Sequence, residues 1–320
     1  MTQVSVEHRS KVSVIIPTYN HKKFISETIQ SVLDQTFRDF EIIIIDDGST
    51  DGTADVVKLF SDDRIKYIYQ TNCGRSYARN HALNIACGRY ITFLDSDDLY
   101  LLNKLELQVA FLDAYPEFGM VYTSAYCMDE AGALLSDSYK ATVSGQIYKD
   151  IAFYVPVTIT LPTVMARREV FDKVGGFDEK MERFEDTDMW RRISKCYFIG
   201  AISEPTCRLR SHSENSLLAQ DPQKIKEALA YYSQKIIKDD KSISLLVRRK
   251  GVASLYQHYS QAMMTNPSWE RNGIYFLFKS LCYWPFNLRG ILFYIHYPYL
   301  YRLRKKLKLM SRLQNRRDDK

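Results

Sequence analysis

Five strand-like runs punctuate the first 125 positions: 12–17 (VSVIIP), 41–45 (EIIII), 64–70 (RIKYIYQ), 90–94 (YITFL) and 119–124 (GMVYTS). Between them apolar residues recur at helical spacing. Phe24, Thr28, Ile29, Val32 and Leu33 fall at i, i+4, i+5, i+8 and i+9, one face of a helix. A second helix is expected after Gly52 and through Phe60, a third over 77–86 closed by Gly88 at its C′ position, and a fourth from about 101 to 115. Strands alternating with helices of this length imply right-handed βαβ units and a mostly parallel sheet, an α/β fold.

From 126 to 161 the periodicity is lost, and Gly132, Ser136, Ser138, Ser144, Gly145 and Pro156 suggest a loop-rich insertion. A strand-to-helix unit starts at Val164 and ends at Gly175-Gly176-Phe177. A helix is expected over 185–196, then two short strands, 198–203 and 206–209, and mainly helix from Pro222 onward. The expected division is 1–217 as the α/β part and 218–320 as a helical C-terminal region.

Composition alters this picture in one place. The formal charge is +6, but 302–320 hold nine Lys/Arg and two Asp, so the tail carries the charge and the body is nearly neutral. That excludes a general nucleic-acid surface and marks one local basic element. Aromatic residues crowd 274–301 immediately before it, the pattern of an interfacial segment on an anionic membrane; a helical cap with a solvated basic tail is the competing reading. The start, MTQVSVEHRSK, has no apolar signal region and no run reaches the roughly 18 apolar residues of a spanning helix, so the expected location is cytoplasmic, peripheral on the inner face of the membrane if the tail binds it. Six cysteines show no CxxC pair and no metal-ligand spacing, which reads as reduced, packed thiols.

Three acidic stations carry the chemistry: Asp46-Asp47, Asp95-Ser96-Asp97-Asp98 and Glu185-Asp186. The first two follow buried strands, which places them at the rim of the sheet where open α/β folds bind ligands. Crowded carboxylates repel unless a cation joins them, so a divalent metal with a polyphosphate is their natural occupant. Asp95 and Asp97 are two apart, the same side of an extended chain, within reach of one Mg²⁺ or Mn²⁺. Asp98 is expected to cap the helix after Tyr100. Asp46 and Asp47 have a second reading, as caps of the helix near Asp51. Arg75 and Arg79 share a helix face after Gly74, and Trp190 reads as core, with a sugar-stacking surface as the alternative.

The stretches VSVIIPTYN (12–20), IDDGSTDGT (45–53), FLDSDD (93–98) and GGFDE…FEDTDMWRR (175–192), in that order, resemble the family 2 glycosyltransferases, inverting enzymes of the GT-A fold. The resemblance covers roughly 10–215 and is of the bacterial surface-polysaccharide type. It implies a nucleotide-sugar half at about 10–125 and an acceptor half at about 126–217. It further implies Asp47 as the uracil-side contact with Pro17 and Tyr19 shaping the pocket, Arg79 as a nucleotide contact, and Asp95-x-Asp97 as the DXD motif with Asp97 the most direct ligand. Ser96 falls within the same nucleotide-sugar site. His212, like the family's late histidine, would complete the metal site and favour Mn²⁺; Arg210 would hold the leaving diphosphate. Asp186 is the implied catalytic base, with Glu185 as the alternative or as an acceptor ligand. The implied reaction moves a sugar from a nucleoside-diphosphate sugar, UDP-linked, to a glycan or lipid-linked glycan. No QxxRW motif is present, which disfavours a processive polymerase. Rival readings are a sugar-phosphate nucleotidyltransferase, which would want glycines directly after the first strand, and a catalytically silent binding protein on the same fold.

Overall fold

The runs and repeats of the first half become β1 (Val12–Thr18), α1 (Ile25–Leu33), β2 (Phe40–Asp46), α2 (Thr53–Val57), β3 (Ile65–Tyr69), α3 (Arg75–Ile85) and β4 (Tyr90–Phe93). After them come β5 (Leu99–Tyr100), α4 (Lys104–Ala114), β6 (Phe118–Met128), β7 (Leu134–Tyr139) and α5 (Tyr148–Ala152). A 3-10 turn at Leu161–Thr163 leads into β8 (Val164–Arg167), α6 (Arg168–Val174), α7 (Glu185–Ser194) and β9 (Phe198–Arg210). Three helices follow: α8 (Pro222–Asp239), α9 (Leu245–Met264) and α10 (Glu270–Tyr283). This computed structural model describes residues 10–152, 159–212, 221–264 and 269–287. The basic tail therefore lies outside the described residues, as does much of the aromatic segment before it.

The sheet runs β3-β2-β1-β4-β8-β6-β9-β5, with β7 paired to β6. Six of the eight strands on that path point one way; β8 and β5 run against them. Both faces are covered, which is why the central strands are apolar at consecutive positions rather than at alternate ones. Val14 and Ile16 of β1 enter one core with Ile42 and Ile44 of β2 and with Ile25 and Ile29 of α1. Ile15, Ile43 and Ile45 enter the other, with Ala78 and Ala82 of α3 and Trp190 of α7. Trp190 is 1% exposed, a core residue and not a sugar-stacking surface.

Four expectations are corrected. Gly88 is not a left-handed helix cap: α3 ends on Ala86 in extended conformation, and Gly88 is absent from the positive-φ residues. A Cβ there would sit 2.5 Å from the Ser13 nitrogen, so glycine is needed for close approach to β1. The 126–161 stretch is not all loop, because β6 extends to Met128 and turns back as β7, a strand with every residue exposed. The two short strands after α7 are one, β9, carried through Pro205 by an irregularity where Ser124 faces it; proline is tolerated in an inner strand only at such a bulge. Only Cys207 is a packed thiol. All six cysteines are free; Cys127 is half-buried, while Cys73, Cys87, Cys196 and Cys282 are exposed.

Contacts divide the described residues into two units, one ending at Ala228 and one beginning at Leu229, with Ala152 joined to the second. In the second, α9 and α10 pack closely at Gly273, where a Cβ would meet Met264 at 2.5 Å. Ser260 Oγ donates to the Gly273 carbonyl and Ser280 Oγ to that of Ala253, both at 2.8 Å, so two serines tie the helices backbone to side chain. Among the described residues no helix is long and apolar enough to cross a membrane.

Candidate active site

The carboxyl ends of β1, β2 and β4 lie side by side in register, Thr18 opposite Asp46 and Ile15 opposite Phe93, so the loops after them meet at one rim. Asn20 holds two of them together: its nitrogen donates to Ser49 Oγ and its Oδ1 accepts from the Thr50 nitrogen. It does so at φ 53°, a left-handed conformation that asparagine adopts more readily than most residues. Pro17 pairs with Ile45 in the sheet, and Tyr19 stands half-exposed beyond it at 50%.

Neither Asp46 nor Asp47 caps α2. The N-cap is Gly52, and Asp51 just before it accepts from Thr53 N and Oγ1. Asp46 is fully buried and accepts from Tyr67 Oη and Ser49 N, which fixes the turn. Asp47 points to the entry of α3, where Gln70 Nε2, Cys73 N and Gly74 N donate to it.

The second and third stations are joined by one guanidinium. Arg79, 3% exposed, donates from Nη1 to Glu185 Oε1 at 2.9 Å and from Nη2 to Asp95 Oδ1 at 3.1 Å, over the Phe177 ring at 5.5 Å. Arg75, one turn earlier, reaches the same Glu185 oxygen at 3.8 Å. Burial opposes the Arg79 charge, but Asp95, Glu185 and Asp186 outweigh it and raise its pKa further. Asn80 sets the frame around this pair. Its amide donates to the Phe177 carbonyl and its Oδ1 accepts from the Phe177 nitrogen, so the Gly175-Gly176-Phe177 turn is clamped onto α3. A Cβ on Gly176 would lie 2.5 Å from Asn80 Oδ1, hence the glycine.

Phe184 enters α7 at φ 64° and is buried, an unusual conformation for a large side chain, directly before Glu185. Glu185 is 5% exposed and held by Arg79; Asp186 is half-buried, with Oδ1 accepting from the Thr187 nitrogen. Burial, then the Glu185 charge beside it, pushes the Asp186 carboxyl up to about 6. A carboxylate poised there is suited to take a proton near neutral pH. Asp188 and Arg191 pair within the helix, fully buried, at 2.9 Å.

The expectation that Asp95 and Asp97 share one side of an extended strand is overturned. Residues 95–98 form a turn closed by Asp98 N donating to Asp95 O at 3.0 Å, so the two side chains diverge. Asp95 goes to Arg79, and Asp97 Oδ2 meets His212 Nε2 at 2.9 Å. Asp98 does not cap α4, whose N-cap is Asn103. It is buried under Arg210, accepting from that residue's nitrogen at 2.7 Å, and desolvation with the charges of Asp97 and Asp95 raises its pKa well above the usual range. Ser96 is buried with Oγ 2.6 Å from His21 Nδ1.

Arg210 has a different task from the one its position suggested. Its guanidinium donates to Asp97 O, Glu130 O and Glu27 Oε2 and covers the Phe24 ring at 4.9 Å. Those donors are spent fastening β9 and the acidic turn to α1, not held out to a diphosphate. His212 is placed by the same neighbours, stacked on Phe24 at 5.8 Å. Beside it a cleft of about 550 Å³ is lined by His21, Lys22, Lys23, Phe24 and Glu130, among others. The cleft meets the acidic stations at His212 and not at Asp186.

For a divalent ion the donor set is partial. Among the described residues no group of three or more His, Cys, Asp or Glu side chains converges. Asp97 and His212 aim a carboxylate oxygen and an imidazole nitrogen at one another, which fits two ligands of a metal completed by substrate oxygens and water. Asp95, on Arg79, does not join them. The sequence reading missed His21, Phe24, Gln70 and His81 as parts of the site. His21 follows the first strand's turn directly and was open to notice; the Gln70–His81 contact, from β3's end to α3, had no local signal.

Residues 13–175 match the family described as Glycosyl transferase family 2. An uncharacterised glycosyltransferase of Rickettsia bellii is 37% identical over 221 residues, 69% of this chain and 31% of that protein. The chain thus spans about a third of the length of that protein and of its Rickettsia felis and Rickettsia conorii relatives. The putative teichuronic acid biosynthesis glycosyltransferase TuaG of Bacillus subtilis is 49% identical over 104 residues, 32% of this chain and 41% of its own. The structure of S. aureus TarS 1-349 in complex with UDP-GlcNAc superposes with a TM-score of 0.66 at 22% identity, covering 85% of this chain and 81% of that one. The fold is thereby GT-A-like, and with the match extending over just over half its length the chain belongs to glycosyl transferase family 2.

Proposed function

We propose that this glycosyltransferase moves a sugar from a UDP-sugar to a hydroxyl of a surface glycan or its lipid-linked precursor, with inversion and with a divalent cation. The observation that carries the reading is Asp186, a half-buried carboxyl pushed up to about 6, beside the Glu185–Arg79–Asp95 array at the mouth of the parallel strands. Asp186 takes the acceptor's hydroxyl proton while that oxygen bonds to the anomeric carbon from the face opposite the diphosphate. The carbon–oxygen bond to the diphosphate breaks with its electron pair, so one displacement turns an α-linked donor into a β product. When bound, a divalent ion on Asp97 and His212 would offset the charge growing on the leaving diphosphate. Arg79 holds Glu185 so that its negative charge does not drive acceptor and base apart. The ligand of TarS supports the donor class, and the pathway in TuaG's name supports the acceptor class.

The test is calorimetric binding of UDP with and without Mn²⁺ to the wild type and Asp97→Ala, followed by NMR of the product's anomeric configuration. Metal-dependent binding that is lost in the variant, and a β product, are expected. An α product would overturn the inverting mechanism, and binding indifferent to both metal and Asp97 would overturn the metal site.

A further inference from the structure

The helix α10 meets α9 through Gly273, Phe276 and Ser280. Gly273 lies against Met264, the Phe276 ring against Tyr256 and Tyr259, and Ser280 Oγ on the Ala253 carbonyl. On its other side, at 3.6 residues per turn, Ile274, Tyr275, Phe278 and Cys282 fall within about 100° of the circumference. All four are exposed, Ile274 at 40% and Phe278 at 63%. A single exposed Ile or Phe is ordinary, but a helix apolar on two opposite faces is not. Its outer face needs a surface to cover it.

Charge says which surface. Residues 241–320 hold sixteen Lys/Arg and three Asp/Glu, while 1–240 hold twenty-eight and thirty-five. Within the two helices themselves Arg248, Arg249, Lys250, Arg271 and Lys279 stand against Glu270 alone. Arg271 falls inside the outer stripe, one turn before Ile274 and Tyr275, and Lys279 borders it with its ammonium 5.7 Å from the Tyr275 ring. Cations on long stems beside apolar side chains suit a helix at the boundary of water and lipid. A nucleic acid would answer the charge, yet Ile274 gives a base no ring to stack against. Acidic headgroups above acyl chains answer both features. The fourteen residues of α10 span about 21 Å, short of a hydrocarbon core of roughly 30 Å, so such a helix lies along the surface.

We propose that the outer face of α10 is a membrane-docking surface. Ile274, Tyr275 and Phe278 enter the boundary of an anionic phospholipid bilayer, and Arg271 and Lys279 meet its headgroups. The surface is separate from the transfer site and does not depend on which acceptor that site takes.

The experiment is flotation of the full chain with vesicles of phosphatidylcholine, alone and mixed with phosphatidylglycerol. It is repeated on two double variants, Ile274→Ser with Phe278→Ser and Arg271→Gln with Lys279→Gln. Wild type is expected to bind the mixed vesicles at least tenfold more tightly than the neutral ones, and less tightly as salt is added. The serine variant should bind them at least tenfold more weakly, and the glutamine variant at least fivefold. Both should melt with wild type by circular dichroism, since the side chains removed face water; the glutamine variant, which deletes no apolar contact, serves if the serine variant melts early. Both keep the basic run at 302–320. Unchanged vesicle binding in the folded variants would therefore place attachment in that run alone and overturn the docking face. Equal binding to neutral vesicles, or none to either kind, would overturn it as well. So would capture of polyuridylate in preference to the mixed vesicles, which would assign the cations to nucleic acid. Nucleotide binding is read separately, and none of these results bears on the proposed transfer.

Discussion

Replacing Asp186 with asparagine should stabilise the protein and disable it together. The carboxyl is raised from 3.8 to about 6 by burial and by Glu185. That rise corresponds to about 3 kcal/mol of penalty on the ionised form, of which about 1–2 kcal/mol survives discounting for its partial exposure to water. The folded state therefore binds the Asp186 proton more tightly than the unfolded chain does. Its favourable contribution is complete below pH 3.8 and is lost as the pH rises through about 6. Asparagine, uncharged throughout, escapes the loss. At pH 7.5 the variant should melt about 2–8 °C higher than wild type, and at pH 4 the two should coincide. Turnover should fall by about 10²–10⁴, the usual worth of a positioned base. In wild type, kcat/KM should rise with pH through about 6, the pKa of the free enzyme's base. Scanning calorimetry at both pH values, with nucleotide release as the activity assay, tests all three. A variant that keeps activity within tenfold, or melts at the wild-type temperature at pH 7.5, would refute the assignment of Asp186 as a strained base.

Arg79→Met removes the cation between Glu185 and Asp95 and leaves the first, at 5% exposure, without its closest partner. Loss of about 3–5 kcal/mol in urea denaturation is expected, and a loss below 1 kcal/mol would show that Arg75 or water replaces it. Gly88→Ala puts a Cβ 2.5 Å from the Ser13 backbone nitrogen, which cannot swing aside as a side chain would. A cost of about 1–3 kcal/mol is expected in the same assay; a neutral result would mean that β1 and the loop before β4 separate more easily than the packing suggests.

The inner strands were legible because burial on both faces writes itself as consecutive apolar residues, as in Ile42 to Ile45. The strand β7 was not, since Leu134 to Tyr139 is wholly exposed and gains its place from pairing with β6 alone. Pro205 hid the continuity of β9, because the extra residues that β9 carries on either side of it, opposite Ser124, show only in the pairing with β6. At the site, residue identity was readable and geometry was not. Asp47 and Asp97 follow β2 and β4 as their positions implied, and Arg79 ties Glu185 to Asp95. Yet the turn at 95–98 sends Asp95 to Arg79 and Asp97 to His212, which no spacing rule foretold. Arg210 looked like a ligand by its neighbour; three acceptors from distant segments, Glu27, Asp97 and Glu130, decide otherwise.

The strand β8 has a consequence for how the chain comes into being. It fills the gap between β4 and β6, with Thr92 facing Met165 and Val121 facing the same methionine from the other side. On a ribosome, β4 emerges some seventy residues before the strand that completes it. Throughout that interval the growing chain carries an open, apolar sheet edge, Tyr90 to Phe93, of the kind that recruits other chains. The strand β6 arrives in the meantime and cannot close it, since in the finished sheet the two never pair. The edge of β4 is thus finished only by a segment made after β6, and neither stretch of chain completes the sheet without the other.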